Sequence, residues 1–269
     1  MRVHLEHDRH ASSICIFQFC TALYSYCAEA YSAEMKTPDW ASGQTESHGL
    51  TAYSSRIFVK AAGKMWFLER AASLEQLWNA MTESGDDFDD ERLPYWTELW
   101  PSSVALANWL HTCKDDICGR FCLDMGCGLG LTAMVAQDLG ASVLAMDYEF
   151  EALNYARHNT LANAMSAPLW TQMDWRKPAV RKGALYRIWG GDIMYEKRFV
   201  APILRFMAHA LALDGKAWLA EPGRTIYDSF LHALQSEGWQ GRPVYSEVVE
   251  PLYAQPVPVT VKVWEIQRR

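Results

Sequence analysis

From Arg120 to the end of the chain, short apolar runs alternate with longer segments whose apolar residues recur every three or four positions. Phe121–Asp124 reads as a short apolar strand running into a glycine-rich turn, Leu131–Leu139 as a helix ended by Gly140, and Ala141–Met146 as a second strand. Glu149–Ala162 is amphipathic at helical spacing, and Pro168–Met173 and Leu185–Gly190 read as the third and fourth strands. Val200–Leu211 predicts a helix, Lys216–Ala220 a fifth strand and Thr225–Ser236 a last helix, while Arg242–Val249 and Val257–Ile266 pair best as a closing antiparallel hairpin. Strands alternating with helices in this way predict an α/β chain with a doubly wound, mainly parallel sheet and helices on both faces.

Upstream the pattern is less regular. Arg56–Val59 and Lys64–Leu68 flank Ala-Ala-Gly and predict a small hairpin. Ser73 is placed to cap a helix with apolar positions Leu74, Leu77, Trp78 and Met81. An acidic loop, Asp86 to Arg92, leads to Pro94, and Ser102 or Ser103 is expected to cap the helix carrying Val104, Leu106, Trp109 and Leu110. The organisation expected is an N-terminal extension over 1–55, a hairpin and helix packed on the core over 56–93, and the main domain over 94–269. Within the extension, Ile14–Ala28 is an apolar run behind Arg9. Glu6 and Asp8 stand where a secretion signal is basic, Gln18, Thr21 and Ser25 interrupt the run, and a bilayer span takes about 20 apolar residues. Met35 offers an alternative start, with residues 1–34 then lying upstream of it.

Composition narrows the partners. The 269 residues carry a formal charge of −7, from 25 basic and 32 acidic side chains. Such a chain has no general attraction to phosphate backbones, so no nucleic-acid partner is expected. Its one dense basic run, Arg176, Lys177, Arg181, Lys182 and Arg187, reads as a solvated loop. The seven cysteines include no Cys-x-x-Cys, and Cys113, Cys118 and Cys122 have no histidine at ligand spacing. The expectation is no metal site, reduced thiols in the cytoplasm, no membrane association and a monomer.

Candidate chemistry starts at Asp124-Met125-Gly126-Cys127-Gly128-Leu129-Gly130, between the first strand and its helix. In doubly wound sheets ligands bind beyond the carboxyl ends of the strands, and glycines there let a ligand approach the backbone. A dinucleotide turn of the form G-x-G-x-x-G fails here, because its last glycine falls on Leu131 or on Ala133, leaving only the G-x-G-x-x-A variant. An acid beside the turn suits a cation instead: the ammonium of a methionine moiety can pair with Asp124 or its neighbours, whereas a pyrophosphate is repelled. Asp147 ends the second strand, where a carboxylate can bind both hydroxyls of a ribose; it is equally placed to cap the helix from Glu149.

With these features the sequence resembles the class I (seven-stranded) S-adenosylmethionine-dependent methyltransferases. It is most similar to the methyltransferase-like group of protein-lysine N-methyltransferases and their bacterial relatives. Four stretches carry the likeness: Pro94-Tyr95-Trp96-Thr97-Glu98-Leu99-Trp100-Pro101-Ser102, Leu123 to Gly130, Met173-Asp174-Trp175, and Gly190-Gly191-Asp192-Ile193-Met194-Tyr195. It covers roughly residues 94–269 and implies a Rossmann-like methyltransferase fold with S-adenosylmethionine as cofactor. By position, Asp124, Gly126, Gly128 and Gly130, with Cys127 among them, would hold the methionine part. Asp147, with Tyr148 beside it, would hold the ribose. Asp174 would bind the adenine amino group, Trp175 would stack on the ring, Trp100 would cover the cofactor, and Gly191 would let it pass the fourth strand.

The resemblance assigns Asp192 and Tyr195 to the acceptor channel. A carboxylate at Asp192 can draw in a lysine ammonium and stabilise the charge that grows on the acceptor. Tyr195 lies three residues on, at helical spacing, and its hydroxyl and ring can serve the same amine. Asp192 is also placed to cap a helix beginning near Glu196, with Tyr195 packing. Pro-Pro-Tyr/Trp after an Asn or Asp, common where adenine or glutamine amides are methylated, is absent. Arg224 is expected to pair with Glu221. His111, His158, His209 and His232 fall on helices and are expected to be structural. The function expected is N-methylation of a protein lysine. The alternatives are a small-molecule amine or heterocycle as acceptor, an inactive cofactor-binding interaction module, and an NAD-dependent oxidoreductase.

Overall fold

The computed structural model describes residues 54–71, 94–252 and 257–269. The helix expected after Ser73, the loop over 86–92 and everything expected of residues 1–53 lie outside the described residues. The first described element is the hairpin. β1 (Ser54–Ala61) and β2 (Lys64–Ala71) pair antiparallel from Ser54↔Ala71 to Ala61↔Lys64. The two residues between them, Ala62 at φ 51° and Gly63 at φ 79°, both adopt left-handed backbone. That geometry lets a two-residue turn follow the twist of its strands.

From Pro101 the chain runs α1 (Pro101–Thr112), the short α2 (Lys114–Ile117), β3 (Phe121–Met125), α3 (Leu131–Asp138), β4 (Ser142–Asp147), α4 (Phe150–Ala162) and β5 (Leu169–Gln172). It continues with β6 (Leu185–Gly191), α5 (Val200–Ala210), β7 (Leu211–Glu221), α6 (Ile226–Ser236), β8 (Trp239–Val249) and β9 (Val259–Arg268). The seven strands from β3 on form one sheet in the order β5-β4-β3-β6-β7-β9-β8. Neighbours from β5 to β7 are parallel, and β9 lies antiparallel to both β7 and β8. The expected doubly wound α/β sheet is therefore observed.

Period-two alternation puts each strand's residues into two cores. In β3, Cys122 joins the cluster that includes α1 and α3, while Leu123 and Met125 join the cluster that includes α5 and α6. Trp189 and Trp218 enter the first cluster, and Ile188 and Leu219 the second. Helix α5 buries Val200, Ile203, Leu204, Phe206, Met207 and Ala210, the stripe its spacing predicts.

Two expectations need correction. Helix α1 is not capped by Ser102 or Ser103, which lie inside its first turn. Its cap position is Trp100, extended at φ −81° and ψ 143°, with Pro101 as the first helical residue and no side-chain cap bond. Proline suits that position because its missing N–H would be unpaired there in any case, and it forces the preceding residue out of the helical region. Strand β7 also starts at Leu211, well before Lys216, through a register irregularity against β6.

The hairpin is fastened to the sheet domain by two asparagines of α4. Asn159 Oδ1 accepts from the Glu69 N–H at 2.7 Å, and its Nδ2 donates to the Glu69 carbonyl at 3.1 Å. Asn163 repeats the pair on Phe67, at 3.0 and 2.7 Å. Four helical residues rise about 6 Å and two strand residues about 6.6 Å, so the two amides meet alternate residues of β2 as a neighbouring strand would. Asn159 Nδ2 also reaches the Leu129 carbonyl in the glycine-rich turn at 3.1 Å.

A second buried polar group sits beneath that turn. Asp124 is 1% exposed, with Oδ2 accepting from Thr132 Oγ1 at 2.6 Å and Oδ1 without a hydrogen-bond partner. Burial pushes its carboxyl up to about 7.

Asn159→Ala strands the backbone groups of Glu69 and the Leu129 carbonyl. Unpaired buried groups cost about 1–3 kcal/mol, and a domain of this size loses about 2–4 °C per kcal/mol. A fall of roughly 2–12 °C in thermal midpoint is expected on those figures, read by calorimetry; an unchanged midpoint refutes the clasp. For Asp124, the folded chain keeps a proton that the unfolded chain releases near pH 4. Stability therefore declines as pH rises from about 4 to about 7 and is level above that for this group. Thermal midpoints taken from pH 5 to 8 should fall less steeply in Asp124→Asn; identical slopes would remove Asp124 from the account.

Candidate active site

The chain passes from β3 outward to β4 and β5, then returns to β6 on the other side of β3. Successive crossovers leave β3 and β6 in opposite directions, and that reversal opens a crevice at the carboxyl ends of the strands. A solvent-open cleft, about 1040 Å³ when the open space at its mouth is counted, occupies this place. Of the residues expected to bind cofactor or acceptor, Trp100, Gly126, Cys127, Gly128, Asp147, Tyr148, Asp174, Trp175, Gly191, Asp192 and Tyr195 all line it.

At the β4 and β5 end, Asp147 is 9% exposed. Its Oδ2 accepts from the Gly128 N–H at 2.8 Å and Oδ1 from the Glu149 N–H at 3.1 Å. Burial raises its carboxyl above the ordinary value, with these backbone donors opposing the shift. The Glu149 bond is a local turn bond ahead of the helix: α4 starts at Phe150, its cap position is Glu149 and it has no side-chain cap bond, so Asp147 does not cap it. Asp174 follows β5 and is paired through both oxygens with Arg176 Nε, at 3.0 and 2.9 Å. Trp175 packs edge-on against Phe199 with centroids 5.3 Å apart.

The glycine-rich turn divides into lining and packing residues. Gly126 (φ 71°) and Gly128 (φ 49°) both line the cleft in left-handed backbone. Cys127 lies between them, buried, and burial drives its thiol well above the ordinary value, so it stays protonated. Gly130 and Asp124, by contrast, are not among the lining residues. A Cβ on Gly130 would stand 2.8 Å from Ala156 Cβ and 3.0 Å from Trp170 Cη2, so this glycine serves the close approach of the turn to α4 and β5. Asp124 is committed to Thr132 in the core. Neither geometry supports the expected contact with a methionine moiety.

At the β6 end, Gly191 runs beside the start of α1: a Cβ there would lie 3.2 Å from both the N and the Oγ of Ser103. The helix start, as much as any ligand, excludes a side chain. Asp192 follows at φ 56°, left-handed for a non-glycine residue, and donates its N–H to the Ala220 carbonyl at 2.9 Å. Its carboxylate is 7% exposed by residue and is gripped by Arg224, Nε to Oδ1 at 2.7 Å and a terminal nitrogen to Oδ2 at 2.9 Å.

Two expectations are corrected here. Arg224 pairs with Asp192 rather than through its side chain with Glu221, and only its backbone N–H reaches Glu221 Oε2, at 3.1 Å. Asp192 and Tyr195 also do not share a helical turn, because the backbone is not helical until Lys197–Phe199. Asp192 therefore caps no helix, and non-helical chain brings Tyr195 to the cleft. The Tyr195 ring packs against Tyr95 at 5.3 Å and Phe199 at 4.9 Å. Burial holds its hydroxyl well above the ordinary range, so it is a hydrogen-bond donor and not a base.

Residue-by-residue reading missed Glu98, Tyr95, Phe199 and Arg176, all of which line the cleft. It also gave Arg224 the wrong partner. Tyr95 and Glu98 lay within a quoted stretch but had no chemistry assigned. The Arg224–Asp192 pair joins residues 32 apart and leaves no local signal. Among the described residues no group of His, Cys, Asp and Glu converges as metal ligands would, and no helix is long and apolar enough to cross a membrane.

A family model described as ribosomal protein L11 methyltransferase (PrmA) matches residues 107–184. The electron transfer flavoprotein beta subunit lysine methyltransferase of Rattus norvegicus is 28% identical over 150 residues, 55% of this chain and 57% of the relative. Its Danio rerio counterpart is 40% identical over 141 residues, 50% of this chain and 52% of the relative. The chain thus spans about half the length of the curated relatives it matches. The Thermus thermophilus 16S rRNA N2 G1207 methyltransferase (RsmC), solved with AdoMet and guanosine, superposes with a TM-score of 0.54 at 16% identity, covering 84% of this chain and 53% of that one. That likeness concerns the fold: the chain carries the Rossmann-like methyltransferase architecture, and over half its length it is similar in sequence to protein-lysine methyltransferases.

Proposed function

We propose that this chain is an S-adenosylmethionine-dependent N-methyltransferase whose acceptor is a lysine side chain of a protein. The observation that carries the reading is one continuous cleft in which Asp174 and Trp175, Asp147, the Gly126–Gly128 turn, and Asp192 with Tyr195 follow one another across β5, β4, β3 and β6. The residues fit the cofactor. Asp174 and Trp175 would take the adenine, Asp147 the ribose, and the cleft-lining backbone of Gly126 and Gly128 the sulfonium-bearing chain. When bound, S-adenosylmethionine supplies a methyl group on a positively charged sulfur.

The acceptor end is built for alignment. Displacement at the methyl carbon needs a neutral amine held in line, and proximity is the main rate term. Asp192 has two oxygens on Arg224, which leaves further lone pairs on the carboxylate for the amine hydrogens. Tyr195, protonated, offers its hydroxyl and, with Tyr95 and Phe199, ring faces that tolerate a cation. The methylated amine is cationic, so the Asp192 carboxylate meets charge as it develops. Support for a protein acceptor comes from the two lysine methyltransferase relatives and the L11 methyltransferase model, all protein methyltransferases by name. Cytoplasmic location belongs to the same reading, in keeping with the free thiols of Cys113, Cys118, Cys122 and Cys127.

Asp192→Ala is expected to leave affinity for S-adenosylmethionine within a few-fold and to remove most methyl transfer to lysate proteins, followed with a labelled donor. Full transfer in that variant would refute the role of Asp192. Asp147→Ala is expected to weaken cofactor binding by calorimetric titration, and unchanged affinity would refute the ribose assignment. Label on free amines with none on protein would overturn the protein acceptor.

A further inference from the structure

Withdrawal of Asp124 from the cleft leaves the cationic α-amino group of the cofactor without its expected carboxylate. We infer that Glu98 takes that place: its Oε2 receives the ammonium of the methionine moiety, and Arg70 of the hairpin sets the carboxylate in position. The inference rests on the reading of the cleft given above and extends it to a residue in the entry segment.

The first ground is the state of the lining carboxylates. Asp147 has both oxygens on backbone N–H groups, Asp174 has both on Arg176, and Asp192 has both on Arg224. Glu98 also lines the cleft, but only its Oε1 is engaged, by Arg70 at 3.1 Å. Its Oε2 is buried and has no hydrogen-bond partner. A buried carboxylate oxygen in that state is costly unless something donates to it. An ammonium supplies three donors and the complementary charge.

The second ground is position. Residues 96–103 bridge the glycine turn and β6: the Trp96 carbonyl lies 3.6 Å from where a Gly128 Cβ would stand, and Ser103 N lies 3.2 Å from the corresponding point on Gly191. Glu98 falls between these two anchors. It is therefore on the β3–β6 side of the cleft, beyond the ribose carboxylate on β4, where the amino-acid end of the cofactor must lie. Glu149, the other acid on the lining, follows Asp147 and Tyr148 at the nucleoside end.

The third ground is support. Arg70 and Glu98 are both largely buried, with side chains 11% and 14% exposed, so the pair is held away from solvent. Arg70 Nη1 also donates to the Ala71 carbonyl at 2.7 Å, which fixes the guanidinium on β2. That strand is clasped by Asn159, which at the same time holds Leu129 of the turn. On this reading the hairpin is part of the cofactor site, as the support of its ammonium-binding acid.

The test compares two ligands that differ by the amino-acid end. S-adenosylhomocysteine carries the α-ammonium; 5′-methylthioadenosine has the same nucleoside and sulfur and lacks it. In Glu98→Gln, calorimetric titration is expected to show affinity for S-adenosylhomocysteine reduced ten- to a hundredfold and affinity for 5′-methylthioadenosine within twofold of the parent chain. The double variant Arg70→Met/Glu98→Gln, which leaves no buried guanidinium facing a lost carboxylate, should show the same selective loss. Equal loss of both ligands would make Glu98 a wall of the cleft and overturn the inference, as would unchanged affinity for S-adenosylhomocysteine. A parent chain that binds neither nucleoside would instead overturn the reading of the cleft itself, and this inference with it.

Discussion

The site depends on one topological constraint, the reversal of winding between β3 and β6. A right-handed crossover must return to the sheet on one side. Chain that goes outward through β4 and β5 and comes back to β6 therefore leaves two loops diverging from adjacent strand ends. The space between them cannot be closed by either loop. Everything assigned to the cleft hangs on this: the turn after β3, the acids after β4 and β5, and the Gly191–Asp192 corner after β6 are brought together because four neighbouring parallel strands end in one plane.

The N-terminal hairpin is tied to that plane from outside the sheet. Its two strands bury too little to stand alone. The side-chain amides of Asn159 and Asn163 supply the hydrogen bonds that a third strand would give, and Trp66 and Leu68 enter the core that holds α1 and α3. Asn159 spends its second amide hydrogen on Leu129, so the glycine turn and the hairpin share one residue as their fixed point. Disturbing the hairpin should therefore be felt in the turn before it is felt in the sheet.

Much of this was legible in the sequence, for a physical reason. Strand and helix periods report burial directly, and buried faces are what the sheet imposes; hence β3, β4, β6 and α5 appear where the apolar pattern puts them. Asp147 was legible too, because it ends an apolar strand, whereas Asp174 and Asp192 were marked only by the resemblance of the stretches that hold them. What was not legible is pairing at a distance. Nothing near Asp192 in the chain announces Arg224, and nothing near Glu98 announces Arg70. Asp124 misled because a carboxylate at a strand end looks the same whether it turns to the ligand or to Thr132. Gly130 misled similarly, since a glycine demanded by packing against Ala156 and one demanded by a ligand share one letter.

The Arg224–Asp192 pair changes the character of the proposed acceptor end. Asp192 is nearly buried, and an isolated carboxylate there would be costly. Arg224 prevents this and fixes the carboxylate plane through two parallel bonds, a geometry lysine cannot copy. Arg224 is itself set from below: Glu221 accepts from the backbone of Gly223 and Arg224 with one oxygen and from Trp264 with the other, which ties the residue to β7 and β9. The subsite is thus close to neutral as a pair yet directional in its remaining lone pairs. If an amine is the acceptor, as proposed, such a pair gives it little long-range attraction and serves to orient it once it has arrived. On that same proposal, attraction at a distance would fall to the chain's net charge of −7 rather than to this pair.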